Sequence, residues 1–406
     1  MAGALDGIKM VEWGAFHAGV AAGYMLADMG AEVIKVEEPG RGDPSRDQSR
    51  FFGGSLQLAG GRDYPFETAN RNKRSITLDL KHPKGKEVFF KLIEDADIFY
   101  TNWRLPLLRR MGVDYEVMKQ HNPRIVYART TALGSLGPEG HRRGFDPMGM
   151  ARSGMMWAVG DREQEEPFQI VGGIFDQMAA AELAYGVLAA LLTRERQGFG
   201  QELEVSILGS AVHLQAVMVN ARTLTGRAIA RHSRKRARNV MSNHYRCRDG
   251  RWIMLLEPQS DRFWEEFCRV TCRPELVTDP RFNTALKRRE TYAQLIPILE
   301  ETFLTRNRDE WLHLFDENRC EFAYCGISDY DDLVTDKQVL ANDYLVEFDH
   351  PVLGKTKMVG FPVKFSRTPC AIQREAPELG QHTEEVLQGM GYTQEKIVEL
   401  KQMRVI

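Results

Sequence analysis

The sequence predicts an α/β fold with a parallel sheet, and three observations lead to that prediction. Short apolar runs typical of strands alternate with helical patterns from residue 7 to residue 211, as in doubly wound sheets. Residues 176–196 form the longest helical pattern, and its apolar positions point in nearly every direction. The 406 residues are too many for one ordinary core, and the character of the sequence changes near Thr225. A second, smaller domain is therefore expected.

The elements before residue 134 follow from periodicity and turn residues. Gly30 ends the first helix, and Val88, Phe89, Leu92 and Ile93 share one helical face. The predicted elements are strands at 7–13, 31–40, 96–102 and 124–133 and helices at 18–30, 84–95 and 107–111.

The long helix over 176–196 is expected to be buried on almost every side. Positions 179, 183, 187 and 191 are apolar, and Gly198 lies just past its end. The following segment, QELEVSILGSA, predicts a strand running directly into a helix.

The second domain is predicted over 225–335, between parts of the larger domain at 1–224 and 336–406. It begins near a basic run at 227–238 and contains a hairpin about a DG turn in YRCRDGRWIMLLE. Helical patterns follow at 260–271, 289–304 and 308–318, strand character returns at 344–366, and the last 24 residues predict a helix pair.

Composition excludes several functional classes. Lysine and arginine number 54 and aspartate and glutamate 56, so the net charge of −2 argues against a dedicated nucleic-acid binder. No apolar run approaches the roughly 18 residues of a membrane span, and no secretory signal is visible at the N-terminus. We expect a cytoplasmic protein without a membrane or nucleic-acid partner.

Common cofactor and metal motifs are missing. The six cysteines form no CxxC pair and no HExxH occurs, so no metal site is expected. Gly14, Gly19 and Gly23 follow the first strand, but their spacing is not that of a dinucleotide fingerprint. Neither a GxSxG elbow nor a phosphate-binding P-loop is present.

Asp176 is the strongest single candidate for chemistry. It follows Gly172 and Gly173 where a strand-like segment gives way to the long helix. One interpretation is a plain N-cap. The other is a catalytic carboxylate, kept ionised by the helix dipole, beside N–H groups that would stabilise an oxyanion. The two glycines would let a ligand approach the backbone closely.

Over essentially its whole length the chain resembles the family III CoA-transferases, of the formyl-CoA and carnitine-CoA transferase type. The resemblance rests on segments such as LDGIKMVEWGAFHAG, DMGAEVIKVEEPGRGDPSR, NRNKRSITLDL and IFDQMAAAELAYGVLAALLTRERQGFGQ. It implies an interlocked dimer, in which each chain has a large Rossmann-like domain built from both termini and a smaller α+β domain. It also implies coenzyme A or acyl-CoA as a substrate, with no tightly bound cofactor.

The resemblance assigns roles to particular residues. Asp176 matches the catalytic aspartate that is acylated during turnover, and His17 stands where many members have glutamine beside the thioester. The positions that match CoA-binding residues are Asn102, Trp103, Arg110, Met111, Arg143 and Phe145. The glycine-rich loop of the formyl-CoA branch is replaced by EPQSDR at 257–262.

Two alternatives stay open. The α-methylacyl-CoA racemases resemble this chain but pair an aspartate with a histidine, which lies at the position that Phe145 occupies here. Since a phenyl ring carries no proton, this position favours the transferase. A non-catalytic partner subunit would lack the catalytic aspartate, whereas Asp176 is present.

The acceptor acid is indicated only by a loop that mixes arginines with aromatic residues, which would suit an aromatic or dicarboxylic acid such as benzylsuccinate, with succinyl-CoA as donor. The alternative is a solvated loop with a few anchoring rings. The loop residues are Arg41, Arg46, Arg50, Phe51, Phe52, Arg62, Tyr64 and Phe66. The partner would be a second copy or, in a hetero-oligomer, a related subunit.

Overall fold

A computed structural model describes residues 3–47, 57–163 and 165–406. These residues form two compact units. Unit 1 contains Met1–Met156, Gln169–Arg227 and Gln338–Ile406, and unit 2 contains Trp157–Phe168 and Ala228–Lys337. Both ends of the chain thus belong to unit 1. The predicted boundaries differ mainly at Trp157–Phe168, which the sequence placed in the larger domain.

Unit 1 is built around a six-stranded sheet in which every neighbouring pair is parallel. Its strands are β1 Lys9–Trp13, β2 Glu32–Glu37, β3 Arg74–Thr77, β4 Ile98–Thr101, β5 Val126–Thr131 and β6 Glu202–Ser206. The strand order is β3-β2-β1-β4-β5-β6. The order of the strands therefore reverses between β1 and β4, where a crevice opens at the carboxyl ends of the strands.

Helices cover both faces of this sheet, because alternate strand residues such as Met10 and Val11 belong to different core clusters. The helices of the first two segments of unit 1 and the junction to unit 2 are α1 Val20–Asp28, α2 Tyr64–Asn70, α3 Pro83–Glu94, α4 Leu105–Met111, α5 Tyr115–His121, α6 Asp146–Arg152, α7 Met155–Ala158, α8 Ile174–Gln197, α9 Ile207–Leu214 and α10 Ala216–Thr225.

Helix α8 confirms the longest predicted helix but is less buried than expected. Its residues at 179, 183, 187 and 191 are buried, and the last three pack in one cluster with residues of α1. Tyr185 and Leu192, however, are 61% and 51% exposed. Among the described helices, α8 alone is long and apolar enough to cross a membrane. Because one side of it packs into the core cluster with α1, we interpret it as a core helix.

Unit 2 combines a three-stranded antiparallel sheet with helices around one aromatic-rich core. The predicted hairpin about the DG turn is present as paired β7 and β8. The elements are β7 Ser242–Arg246, β8 Trp252–Leu256, α11 Ser260–Val270, α12 Glu275–Thr278, α13 Ala285–Glu290, α14 Tyr292–Phe303, α15 Arg308–Glu317, β9 Tyr324–Ile327 and α16 Tyr330–Leu333.

The last part of the chain returns to unit 1. The strand character at 344–366 forms an antiparallel hairpin of its own and does not extend the parallel sheet. Val386, Leu387 and Ile397 pack into the core cluster that contains Phe89 and Phe99. The elements are α17 Lys337–Ala341, β10 Leu345–His350, β11 Gly354–Val359, α18 Thr383–Gly389 and α19 Gln394–Gln402.

Candidate active site

The loop between β1 and α1, residues 14–19, lies at the topological switch point of the sheet. Four side chains hold its backbone. Asn102 accepts a hydrogen bond from the Ala15 N–H at 3.0 Å and donates to the Ala15 carbonyl at 2.6 Å. Asp43 accepts from the Phe16 N–H at 3.1 Å, and Tyr100 donates to the Ala18 carbonyl at 2.6 Å. Lys35 donates to the Gly14 carbonyl at 3.0 Å. The loop is therefore fixed before any ligand arrives.

Two residues of this loop adopt left-handed backbone conformations. Phe16 has a φ of 63°, which costs a non-glycine residue about 1–2 kcal/mol. Gly19 has a φ of 72°, and a Cβ there would lie 2.2 Å from the Thr130 hydroxyl oxygen. Only glycine fits at position 19, so the turn that carries His17 is specified sterically.

A network of buried ion pairs is connected to this loop. Glu12 contacts Lys35 at 2.9 Å and Lys73 at 2.8 Å, and all three side chains have no solvent exposure. Lys35 also contacts Asp43 at 2.9 Å, while Lys73 donates to the Val20 carbonyl at 2.8 Å. The network thus joins the sheet to both ends of the loop.

Burial and neighbouring charges shift the pKa values of both lysines. Burial lowers the pKa of Lys73 to about 8, although Glu12 opposes the shift. Burial also disfavours the charged form of Lys35, but the Asp43 and Glu12 carboxylates outweigh it and raise its pKa. Lys35 is therefore the firmly charged member of the pair.

Asp176 lies in the first turn of α8, yet it is not the N-cap. Gly173 takes that position with a φ of 66°, and Asp146 supplies the cap from α6. One Asp146 oxygen accepts from the Phe175 N–H at 2.6 Å and from the Asp176 N–H at 3.0 Å. The capping interpretation of Asp176 is therefore wrong.

One oxygen of the Asp176 carboxyl group, Oδ1, is buried and has no hydrogen-bond partner among the described residues. Burial, together with the Asp146 carboxylate, raises the pKa of Asp176 to about 7. Burial and the neighbouring charge therefore oppose the stabilisation of the ionised form that the helix dipole is expected to provide. Such a shifted, poorly solvated carboxyl group is typical of a reactive centre.

The expected oxyanion donors at the start of α8 are already occupied. Asp146 takes the N–H groups of Phe175 and Asp176, and the Gln177 N–H donates to the Gly173 carbonyl at 2.9 Å. These three groups therefore do not meet the sequence-based expectation of a free oxyanion hole. At Gly172, by contrast, an added Cβ would meet nothing within 4 Å. A ligand therefore has space to come close to the backbone at this position.

His17 is connected to the same helix through Gln177. The His17 Nε2–H donates to the Gln177 amide oxygen at 2.8 Å, and the Gln177 amide nitrogen donates to the Tyr24 hydroxyl at 2.9 Å. Burial lowers the pKa of His17, so the imidazole is neutral at pH 7. With Nε2 donating to Gln177, Nδ1 is left as a hydrogen-bond acceptor.

A cavity of about 710 Å³ opens at the carboxyl ends of the central strands. Trp103 and Met111, two of the predicted CoA-binding residues, line it together with Gly14 and Ala15 of the loop. Trp103 lies 5.8 Å from the Trp13 ring, measured between centroids, and its buried indole N–H has no partner among the described residues. Arg41 and Lys81 also line the cavity. The aromatic walls suit a pantetheine chain and the two cations suit phosphates, although Glu38 contacts both cations and other carboxylates also line the cavity.

The other predicted CoA-binding residues are distributed differently. Asn102 uses its amide to fix the loop, so the structure gives it a positioning role. Phe145 is 56% exposed and packs edge-on against Phe16, with ring centroids 5.7 Å apart. Arg110 and Arg143 are exposed and do not line the cavity.

The arginines between β2 and β3 mostly have structural partners. Arg46 makes two hydrogen bonds to Glu37, of 2.8 and 2.7 Å, and stacks over Phe66, while Arg62 contacts Glu67 and Glu378. Arg46 lines the cavity with its guanidinium group already bound to Glu37, and Arg41 lines it in contact with Glu38 at 3.9 Å. Arg50, Phe51 and Phe52 lie outside the described residues.

Sequence reasoning missed the residues that tune the site. Asp146 was read only as part of RRGFDPMG, and Lys73 only as part of NRNKRS. A proline after Asp146, at the second position of α6, was the available signal for a helix start there. Nothing in the neighbouring sequence indicated the contact of Asp146 with α8.

Residues 3–47, 57–163 and 165–406 contain no group of His, Cys, Asp or Glu suited to a metal ion.

The Asp146→Asn substitution is expected to lower the pKa of Asp176. It removes a negative charge beside Asp176 but keeps an oxygen for the Phe175 and Asp176 N–H groups. Carbon NMR titration of labelled aspartate measures the shift. Asp114→Asn, which changes the aspartate that caps α5, is the matched control and should leave Asp176 unchanged. An unaltered Asp176 pKa in Asp146→Asn would show that burial alone causes the shift.

Comparisons with known proteins identify the family to which the chain is similar. The model of CoA-transferase family III matches residues 5–383. The cinnamoyl-CoA:phenyllactate CoA-transferase of Clostridium sporogenes is 33% identical, with 98% of this chain and 95% of that protein covered. The succinyl-CoA–D-citramalate CoA-transferase of Chloroflexus aurantiacus is 32% identical, with 99% and 98% covered.

A solved structure has a similar fold. The crystal structure of a CAIB/BAIF family protein from Brucella suis superposes with a TM-score of 0.86 at 26% identity. The match covers 96% of this chain and 100% of that one. The fold extends over nearly the full length of both proteins.

Proposed function

Because the chain belongs to CoA-transferase family III, we propose that it moves CoA from an acyl-CoA donor to a carboxylic acid through covalent intermediates on Asp176. The observation that carries this mechanism is the buried Asp176 oxygen without a partner, next to a pre-organised loop that lines a large cleft. A carboxylate in this setting is poorly solvated and therefore nucleophilic.

The reaction begins when the Asp176 carboxylate attacks the donor thioester carbonyl. The carbon–sulfur bond breaks, which gives a mixed anhydride and the CoA thiolate. The thiolate then attacks the Asp176 carbonyl of the anhydride, so the donor acid leaves as a carboxylate and an aspartyl-CoA thioester remains.

The acceptor carboxylate attacks this thioester and forms a second anhydride. The thiolate attacks the acceptor carbonyl, which restores Asp176 and releases the new acyl-CoA. One thioester replaces another, so no external energy source is required. Exclusion of water is essential because water would hydrolyse both anhydrides.

The cleft supports CoA binding in this proposal. The Trp13 and Trp103 rings and Met111 offer apolar contact to the pantetheine chain, and Arg41 and Lys81 offer charge to the phosphates. The thioester end would reach the loop at Gly14 and Ala15, which continues to His17. The same loop would therefore connect the CoA cleft with the reactive carboxylate.

For the acceptor we propose a 2-hydroxy acid with an aromatic or second carboxylic group. Phenyllactate and citramalate, named in the two relatives, are both 2-hydroxy acids. The His17 Nδ1 supports this choice because it is free to accept a hydrogen bond from the 2-hydroxyl group. Benzylsuccinate, which lacks this hydroxyl group, and succinyl-CoA belong in the same substrate panel.

The proposed assembly is an interlocked dimer. Helix α10 has no buried residue, and its Val217 and Leu224 are 80% and 85% exposed, so a partner is needed to cover this apolar surface. Native mass spectrometry should give twice the 46.3 kDa of one chain. A monomer, or a complex only with a related subunit, would contradict the homodimer.

The mechanism is tested by peptide mapping after incubation with cinnamoyl-CoA or succinyl-CoA and then hydroxylamine. Hydroxylamine captures an activated aspartyl group as a stable hydroxamate. A modification confined to the peptide containing Asp176 is expected. An unmodified peptide together with deuterium uptake at the acyl-CoA α-carbon would instead support the racemase alternative.

The His17→Leu substitution is expected to reduce the preference for hydroxylated acceptors. Loss of one hydrogen bond should lower kcat/KM for phenyllactate about tenfold, relative to phenylpropanoate, which lacks the hydroxyl group. His17→Gln keeps an acceptor oxygen and should restore part of the preference. Equal losses for both acids would show that His17 does not recognise the hydroxyl group.

A further inference from the structure

Unit 2 contains a cavity whose charged lining residues are all arginines. The cavity measures about 360 Å³, and Arg238, Arg288 and Arg289 line it together with Asn239 and Ser260. No acidic residue is among its lining residues within the described part of the chain. We call it the arginine cavity.

Arg238 is the residue of the basic run at 227–238 that lines this cavity. The neighbouring arginines of the run have partners: Arg234 contacts Glu300, and Arg236 contacts Glu163 at 2.9 Å. Arg238 and Arg289 are exposed and make neither an ion pair nor a hydrogen bond with any described residue. Two unpaired guanidinium groups therefore border one cavity.

Arg288 forms a fixed wall between them. It is 1% exposed, donates to the Phe282 carbonyl at 2.8 Å and contacts Asp261 at 2.6 Å. Its buried Nε has no partner among the described residues, and the guanidinium group packs over Trp264.

The start of α11 adds a second source of positive potential. Ser260 is the first residue of this 11-residue helix, which has no side-chain cap. The Arg262 N–H donates to the Gln259 carbonyl at 3.0 Å, which leaves the N–H groups of Ser260 and Asp261 for an anion. The Ser260 hydroxyl oxygen accepts from Arg288 at 3.1 Å, which leaves the hydroxyl hydrogen free to donate. Donors thus converge from α11, α13 and the basic run.

We propose that the arginine cavity binds a phosphate group. Asp261 offsets the charge of Arg288, whereas Arg238 and Arg289 are not offset. This leaves two positive charges, which match a phosphate dianion, and guanidinium groups bind phosphate through paired hydrogen bonds. The ligand is either free inorganic phosphate or the 3′-phosphate of CoA, and the inference does not depend on the role of Asp176.

Calorimetric titration of the full-length protein with inorganic phosphate tests the site. Arg238→Gln and Arg289→Gln should each weaken phosphate binding about tenfold, and the double variant should bind no phosphate detectably. Lys235→Gln is the matched control, because Lys235 belongs to the same basic run but does not line the cavity. Both arginines are exposed, so the variants are expected to keep the wild-type melting temperature.

Titrations with CoA and with dephospho-CoA distinguish the two sources. Weaker binding of CoA, but not of dephospho-CoA, by the double variant would assign the site to the 3′-phosphate. A loss of inorganic phosphate binding alone would assign it to free phosphate. The proposal is overturned if the wild-type protein shows no saturable phosphate binding, or if the double variant binds phosphate as the wild type does.

Discussion

Replacing Asp176 with asparagine is expected to reduce CoA transfer by a factor on the order of a thousand or more, since losing a covalent nucleophile removes the reaction path itself. Asparagine has nearly the same shape but does not form an anhydride. Binding of CoA should persist, because Trp103 and Met111, which line the cleft, are unchanged. Initial rates with a donor and acceptor pair, and calorimetric titration with CoA, measure the two effects separately.

Stability provides the control for this variant. The folded-state pKa of Asp176 is raised to about 7, so the folded protein binds the proton more tightly than the unfolded chain does. The wild-type protein therefore loses stability as the pH rises from about 4 to about 7, when the buried carboxyl group ionises. Asp176→Asn does not pay this penalty and should melt higher than the wild type at pH 8.

The same pKa predicts the pH dependence of the wild-type rate. Transfer should fall as the pH drops below about 7, because only the carboxylate form of Asp176 attacks the thioester. Wild-type activity in Asp176→Asn, or a hydroxamate on another peptide, would overturn the mechanism. A lower melting temperature at pH 8 would show that Asp176 stabilises the fold instead.

Replacing Glu12 with glutamine is expected to destabilise the protein by about 3–5 kcal/mol, the usual cost of leaving buried charges without a partner. Glu12 is the shared counter-charge of Lys35 and Lys73, and none of the three side chains is exposed. Thermal unfolding followed by circular dichroism measures the loss. Glu87→Gln, which breaks the exposed contact with Lys84, is the control and should change the melting temperature little.

A second variant separates stability from positioning. Glu12→Leu combined with Lys73→Met replaces one buried pair with apolar groups and keeps the Lys35–Asp43 pair. Stability should largely recover. Transfer activity should stay low, because Val20 loses the Lys73 donor at the end of the loop that carries His17. Full activity in the double variant would show that the network serves only stability.

Much of the fold was predictable because periodicity is a local property of the chain. The apolar runs gave the central strands, and the spacing of Val88, Phe89, Leu92 and Ile93 gave a helical face that is buried in the structure. The extent of burial of α8 was overestimated. Its composition does not show that the turns containing Tyr185 and Leu192 face outward.

For the active site, the sequence by itself determined the family and predicted Asp176 as the nucleophile and His17 as a residue beside the thioester. Only the tertiary structure decided the state of that nucleophile. Asp146 lies 30 residues before Asp176, Lys73 lies 61 residues after Glu12, and Asn102 lies 87 residues after Ala15. Charge–charge effects, desolvation and hydrogen bonding depend on distances in space, which these separations along the chain do not encode.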